Sequence, residues 1–169
     1  MSKWIALFSQ TGSELASVCE KMGRFPDMIY CDGVIRHIHS DLMPYTNFLP
    51  KEDINRLLET DHKNDIVTLH GYLKIIPEKS ICKEMYNLHP GDIIQHPELK
   101  GIHPQAKAIE LGLTTTGCLI HRVEPGVDEG MPFVFMAHKI KEGTTTETLI
   151  EELRHLAINM WMIFLKGRI

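Results

Sequence analysis

The sequence lacks the features that mark several common classes of protein. Lys and Arg number 18 against 22 Asp and Glu in 169 residues, so no basic surplus is available to wrap a nucleic-acid backbone. The 4 cysteines form no C-x-x-C pair and no secretory leader precedes them, which favours reduced thiols in a cytoplasmic protein. The two main apolar runs, 4–8 and 156–165, are too short to span a membrane. We therefore expect neither a nucleic acid nor a membrane as a partner.

Signatures of metal and dinucleotide sites are also missing. There are 10 histidines, but they form no H-E-x-x-H motif and no zinc-type spacing with cysteine. His89, His96 and His103 are evenly spaced, yet a proline follows each of them, so one continuous helix cannot carry all three. Neither a glycine-rich dinucleotide fingerprint nor a phosphate-binding loop with its lysine occurs. We expect no bound metal.

Short apolar runs alternate with segments of helical period along the whole chain. The pattern predicts strands at 4–8, 27–31, 65–70, 85–89, 114–123 and 133–139, and helices at 13–22, 51–60, 77–85 and 104–111. The stretch 33–50 is irregular, and a capping box at 144–147 begins a last helix that runs to about 166. This alternation predicts an α/β layer fold with a mostly parallel sheet. No internal repeat or linker divides the chain, so we expect a single catalytic domain over 1–169.

One predicted strand end carries two polar side chains on the same face. Residues two apart in a strand point the same way, so Asn87 and His89 present an amide beside an imidazole, and Pro90 keeps His89 extended. Such a pair suits the stabilisation of negative charge on a carbonyl oxygen under attack. Asp128 lies in a loop rich in Gly and Pro, where a carboxylate can orient an imidazole. A structural role stays open for all three, since Asn, His and Asp also satisfy the backbone of turns.

Five short motifs, in order, resemble the signature of the folate-dependent formyltransferases. They are LHGYLKII at 69–76, NLHP at 87–90, KG at 100–101, TGCLIHRV at 116–123 and VDEG at 127–130. Members of that family include glycinamide ribonucleotide transformylase and the catalytic domain of methionyl-tRNA formyltransferase. The resemblance implies a three-layer, Rossmann-like formyltransferase fold with a mostly parallel sheet and a long C-terminal helix.

The resemblance also implies an activity in one-carbon metabolism: a formyl group passes from 10-formyltetrahydrofolate to the amine of a small molecule. Asn87 and a protonated His89 would donate hydrogen bonds to the oxyanion of the tetrahedral intermediate, while Asp128 would hold the imidazolium and assist proton transfer. The pterin pocket for the donor would be lined by Leu73, Lys74, Ile75, Ile76, Val123 and Val127. The Leu73, Ile75 and Ile76 side chains would double as core residues.

The acceptor is expected to be a small amine, such as an amino sugar or a nucleotide derivative, a class that includes glycinamide ribonucleotide. The acceptor side of the site would comprise Gly12, Ser13, Glu14, Pro90 and His103. The family member that acts on a ribonucleotide has Gly-Ser-Asn at this first strand–helix turn, where helix amides bind phosphate, whereas this chain has Glu14. Ser13 is therefore expected to be the N-cap of the helix.

Two other functions share these residues. Asn87, His89 and Asp128 could direct water at the formyl group, as in the related formyltetrahydrofolate hydrolases, or the domain could bind folate or a nucleotide without catalysis. The apolar final helix is expected to pack across the sheet, and both a monomer and a homodimer stay open. His103 and His121 are expected at the edge of the cleft.

Overall fold

Seven strands and four helices make up the computed structural model, which describes residues 2–169. The strands are β1 (Trp4–Phe8), β2 (Met28–Cys31), β3 (Thr46–Phe48), β4 (Ile66–Leu69), β5 (Glu84–His89), β6 (Thr115–Arg122) and β7 (Pro132–Lys139). The helices are α1 (Ser13–Met22), α2 (Lys51–Thr60), α3 (Pro104–Glu110) and α4 (Thr146–Lys166). The six predicted strands are confirmed, and so are four of the five predicted helices.

All seven strands form one sheet in the order β3-β2-β1-β4-β5-β6-β7. The first five run parallel to their neighbours, while β6 is antiparallel to β5 and β7 is antiparallel to β6. The prediction of a mostly parallel sheet is therefore correct. Because the five parallel strands point the same way, their carboxyl ends meet at one edge of the sheet, which is where ligands bind in such folds.

Strand β1 serves a core on each face of the sheet, because its successive side chains point in opposite directions. On one face, Trp4 and Phe8 pack in a cluster that includes residues of α1, α3 and α4. On the other face, Ile5 and Leu7 pack with residues of α2. The result is three layers, with α2 on one side of the sheet and the other helices opposite. Within residues 2–169 no helix is both long and apolar enough to cross a membrane.

Three local predictions are wrong. Pro77 begins no helix: it is extended, only Glu78–Ser80 makes a 3-10 turn, and Met85 already pairs with Val67 in the sheet. The stretch 33–50 contains the short strand β3 and two 3-10 turns. The N-cap of α4 is Thr145 rather than Thr144, because the side chain of Thr145 accepts the Thr148 N–H at 3.2 Å. Sheet pairing and cap geometry decide each of these positions.

Candidate active site

The end of β5 places Asn87 and His89 at the carboxyl edge of the sheet. The antiparallel register between β5 and β6 sets Asn87 opposite His121, and the Asn87 amide nitrogen lies 3.5 Å from Nε2 of that ring. His89 is buried at the last position of the strand. The alternation predicted for this strand is therefore what brings the amide and the imidazoles to one place.

Asp128 reaches the same place from the loop after β6. Its Oδ2 lies 3.2 Å from Nδ1 of His89, and its Oδ1 lies 3.3 Å from Nε2 of His121. The amide of Gly101 donates to Oδ2 at 2.9 Å. Asp128 has a left-handed backbone with φ of 53°, a conformation that costs energy for most residues and that Asp tolerates better than most. The structure thus brings Asn87, His89 and Asp128 together although they are distant in sequence.

Each imidazole is held between a backbone carbonyl and the carboxylate. His89 donates from Nε2 to the carbonyl of Leu99 at 2.8 Å, and His121 donates from Nδ1 to the carbonyl of Arg122 at 2.9 Å. Since a carbonyl oxygen only accepts, the second nitrogen of each ring is the one that faces Asp128. That contact becomes a hydrogen bond when a proton lies between ring and carboxylate. The site therefore has a place for a proton released by a reaction.

Burial and nearby charges shift the pKa values of His89 and Asp128 in opposite directions. Burial lowers the pKa of His89 below the ordinary 6.5, although the carboxylate of Asp128 and the Leu99 carbonyl act to raise it. Burial acts to raise the pKa of Asp128, but the two imidazoles, His121 and His89, and the Gly101 amide outweigh it and hold that pKa below its ordinary 3.8. Near neutral pH the free protein thus has a carboxylate at Asp128 and a neutral His89 that can accept a proton.

The lowered pKa of His89 predicts a loss of stability on mild acidification. Between its folded and its ordinary pKa of 6.5, His89 binds fewer protons in the folded chain than in the unfolded chain, so the free energy of unfolding rises with pH. That stability is fully present above the ordinary value and is lost as pH falls through the folded value. Urea unfolding on both sides of the ordinary value should show a smaller pH dependence for His89→Gln than for wild type. The exposed-histidine control His155→Gln should keep the wild-type slope, and an equal slope in all three would contradict the assignment.

A cleft of about 280 Å³ opens beside these residues. Its lining includes the three predicted catalytic residues and also all six residues predicted to contact the pterin, namely Leu73, Lys74, Ile75, Ile76, Val123 and Val127. Of these six residues, Ile76 alone is also buried in the core. Leu73 and Ile75 are 63% and 71% exposed, so the prediction that they are core residues is wrong. They lie in a segment that is neither helix nor strand, and their apolar side chains are exposed at the cleft.

A family model described as formyl transferase matches residues 36–164. The chain belongs to the formyl transferase family. It is 34% identical over 104 residues to the trifunctional purine biosynthetic protein adenosine-3 of Bos taurus, a match that covers 60% of this chain and 10% of that protein. The chain spans about a tenth of the length of the trifunctional relatives that it matches. The family supports formyl transfer as the class of reaction.

Solved structures share the fold of this formyl transferase family member. The TM-score is 0.79 against glycinamide ribonucleotide transformylase 1 from Symbiobacterium toebii, at 22% identity, with 99% of this chain and 89% of that chain covered. It is 0.78 against the phosphoribosylglycinamide formyltransferase from Streptococcus pneumoniae, at 22% identity and with 99% and 98% covered. These likenesses confirm the Rossmann-like formyltransferase fold that the sequence motifs imply.

The five residues predicted for the acceptor are not part of the cleft lining. Gly12, with φ of 70°, makes the turn into α1, and a side chain there would come within 2.7 Å of Leu42. The N-cap of α1 is Gly12, so the prediction of Ser13 as N-cap is wrong. Pro90 follows His89 without lining the cleft, and His103 is the exposed N-cap of α3. Pro90 and His103 lie in or close to the motifs in sequence, but this does not bring their side chains into the cleft.

Glu14 points into the protein rather than toward a ligand. Its Oε1 accepts from Trp161 Nε1 of α4 at 2.8 Å and lies 3.1 Å from Nδ1 of the buried His70. Nε2 of His70 lies 2.9 Å from the hydroxyl of Thr68, which also accepts from Trp4 at 2.9 Å. Glu14 therefore ties α1 to α4 and to the end of β4 through a hydrogen-bond chain that is partly buried at Glu14 and buried beyond it.

Loss of the Glu14 carboxylate should destabilise the fold. Glu14→Ala leaves Nε1 of Trp161 and Nδ1 of His70 without this partner, and a buried group left unsatisfied costs about 1–3 kcal/mol. We expect a fall of about 2 kcal/mol or more in the free energy of unfolding, measured by urea titration. The control Glu20→Ala removes an exposed carboxylate of the same helix and should stay within about 0.5 kcal/mol of wild type. Equal stability of the two variants would contradict the structural role.

Three partners of the candidate site were not predicted as part of it. His121 was expected only at its edge, whereas it contacts Asp128 directly, and the backbone groups of Leu99 and Gly101 hold His89 and Asp128. The position of His121 inside the TGCLIHRV motif is the sequence signal that could have identified the ring. Backbone partners leave no signal in side-chain identity.

Within residues 2–169, no group of three or more His, Cys, Asp or Glu could hold a metal ion.

Proposed function

We propose that the protein transfers a formyl group from 10-formyltetrahydrofolate to the amine of a small molecule. One observation carries the proposal: Asn87, His89 and Asp128 converge on one cleft in a chain of the formyl transferase family. We further propose that the whole chain acts as one catalytic domain, because a single sheet uses strands from residue 4 to residue 139. A cytoplasmic location is part of the same proposal.

The cleft suits the donor as a substrate. A pterin is a flat ring with hydrogen-bonding edges, and it would lie between the exposed side chains of Leu73, Ile75 and Val127. Peptide groups of the segment 72–77 belong to no helix or strand and would meet the edge of the ring. When bound, 10-formyltetrahydrofolate supplies the formyl group. The protein's own residues then position the reacting atoms and manage charge and protons.

The three polar residues have complementary roles in this proposal. Asn87 donates an amide N–H to the formyl oxygen as the amine attacks and negative charge develops there. The proton that the attacking nitrogen loses comes to lie between Nδ1 of the neutral His89 ring and the carboxylate of Asp128, which stabilises the resulting imidazolium. The imidazolium then supports the oxyanion electrostatically and returns the proton to the leaving nitrogen of the folate. Atoms and charge balance without any further reactant.

The test is incubation of the protein with 10-formyltetrahydrofolate and a set of candidate amines, followed by mass spectrometry. We expect release of tetrahydrofolate that depends on one amine and a product heavier by one carbonyl group. Release without any amine would instead indicate a hydrolase, and folate binding without release would indicate a binding module. Either result contradicts formyl transfer. The matched variant Asn87→Ala should slow transfer about 100- to 1,000-fold, the typical effect of removing one oxyanion donor.

A further inference from the structure

A second hollow, of about 560 Å³, lies beside the cleft, and we call it the Asp32 pocket. It is lined by Ser9, Gln10, Thr11, Asp32, Gly33, Val34, His37, Leu73 and Lys74. Leu73 and Lys74 also line the cleft, so one molecule that spans these two side chains can contact both hollows. No residue assigned to the formyl transfer step lies in the Asp32 pocket itself.

The carboxylate of Asp32 has an unused acceptor. Its side chain is only 4% exposed, and its buried Oδ1 has no hydrogen-bond partner within residues 2–169. Its Oδ2 lies 3.8 Å from Nζ of Lys74, the outer limit of an ion pair. The hydroxyl of Tyr72, which lines the neighbouring cleft, is also buried without a partner within residues 2–169, and burial and the charge of Asp32 raise the pKa of that phenol. Buried polar atoms are costly unless they are hydrogen-bonded, so the open acceptor of Asp32 points to a ligand group that donates.

The backbone holds Asp32 at this position. Strand β2 pairs with β1 so that Cys31 lies opposite Phe8, and the next residues, Asp32 and Ser9, follow at the same edge of the sheet. Gly33 then packs directly on the carbonyl of Ser9, where any side chain would overlap that oxygen. The turn is therefore tight and its carboxylate is fixed in the wall of the pocket.

The charges around the pocket do not favour an anionic ligand. The one lysine of the lining, Lys74, is half-exposed and lies 3.8 Å from Asp32, whose charge it offsets, and His37 also lines the pocket. Part of the rim is apolar, because the side chains of Val34 and Leu73 are more than half-exposed there. This combination of a buried acceptor and an apolar rim matches a ring that carries hydroxyl groups on its edge and C–H groups on its faces.

We propose that the Asp32 pocket is the acceptor subsite and that it binds the uncharged, hydroxyl-bearing ring of an amino sugar, with a hydroxyl donating to Oδ1 of Asp32. The inference rests on the proposed function, because it assigns the acceptor of that reaction. Asp32 selects for hydroxyl donors and against a phosphate ester on the same ring. The amine of the bound sugar extends past Leu73 and Lys74 into the cleft.

Calorimetry with three simple probes tests this assignment: glucosamine, its 6-phosphate and cyclohexylamine. We expect wild type to bind glucosamine at least about tenfold more tightly than the other two, since a hydrogen bond to a buried charge is worth about 1.5–3 kcal/mol. Asp32→Asn should lower glucosamine affinity about tenfold or more. The matched control Asp41→Asn removes an exposed carboxylate of the same connection and should leave that affinity unchanged. Equal affinity in all three proteins, or no glucosamine binding by wild type, would overturn the proposal.

A second variant covers the case in which Asp32→Asn does not fold. Val34→Trp places a large ring at the exposed rim, where it fills the pocket without entering the core. It should abolish glucosamine binding and retain binding of a folate analogue. Glucosamine binding that survives this change would contradict the site. Glucosamine binding that depends on Asp32, in a protein that transfers no formyl group to any amine, would overturn the proposed function and leave the binding site standing.

Discussion

His89→Ala is expected to slow formyl transfer about a thousandfold, within the 10²- to 10⁴-fold range of a lost general acid–base group. The ring is neutral near neutral pH and can take a proton next to Asp128, at 3.2 Å. Alanine removes that proton acceptor and the cation that supports the oxyanion. A folate analogue should bind nearly as in wild type, because the pterin contacts lie on other residues of the cleft. The measurement is kcat with 10-formyltetrahydrofolate together with the dissociation constant of the analogue.

The control for this variant is His155→Ala, which removes an exposed histidine of α4 and should leave kcat unchanged. Urea unfolding of His89→Ala checks that the loss is not a loss of fold. An unchanged kcat in a folded His89→Ala protein would refute the role of the imidazole. A kcat that falls together with analogue binding would indicate a collapsed cleft instead.

Gly130→Ala is expected to be among the most damaging single-methyl changes in the chain. Gly130 follows Asp128 by two residues and is buried against β6, where a Cβ atom would overlap the carbonyl oxygen of Arg122 and lie 3.1 Å from Nδ1 of His121. That carbonyl also accepts from His121. The loop must therefore move away, and Asp128 moves with it. We expect a loss of about 2–4 kcal/mol in the free energy of unfolding, as for severe overpacking, and slower formyl transfer in the protein that remains folded.

Gly167→Ala is the matched control for this prediction. Its φ is −91° and, its own chain neighbours aside, no atom of residues 2–169 lies within 4 Å of the position that a Cβ would take. The free energy of unfolding should stay within about 0.5 kcal/mol of wild type. A Gly130→Ala protein as stable and as active as the control would show that the loop tolerates displacement and that the position of Asp128 is not set by this packing.

Most of the fold was predictable because its signals are local. The continuous apolar run of β1 predicts a strand, and the amphipathic period of α2 predicts a helix, each from a few neighbouring residues. Strand β3 was not predictable, since three residues carry no usable period and its identity depends on pairing with β2. The helix predicted after Pro77 is wrong for the same reason. Proline suits the first turn of a helix, but the pairing of β5 with β4 fixes the residues that follow as a strand.

The site was predictable only in part. The two-residue spacing identified Asn87 and His89 as neighbours, whereas Asp128 was linked to them through the family resemblance, since its contact spans a loop after a different strand. Glu14 shows the limit of such transfer. Its carboxylate was expected to face a ligand, but it is a hydrogen-bond partner of Trp161 and His70, which are distant in sequence. Long-range contacts of this kind become visible when the chain is folded.

The most direct test of the assembly at the cleft is a double-mutant cycle between His89→Ala and Asp128→Ala, with kcat of formyl transfer measured for wild type, both single variants and the pair. Residues that act as one unit lose their function together, so the double variant should be about as slow as the slower single variant. Multiplied losses would mean that His89 and Asp128 act independently. Full activity in either single variant would contradict a catalytic unit built from these residues.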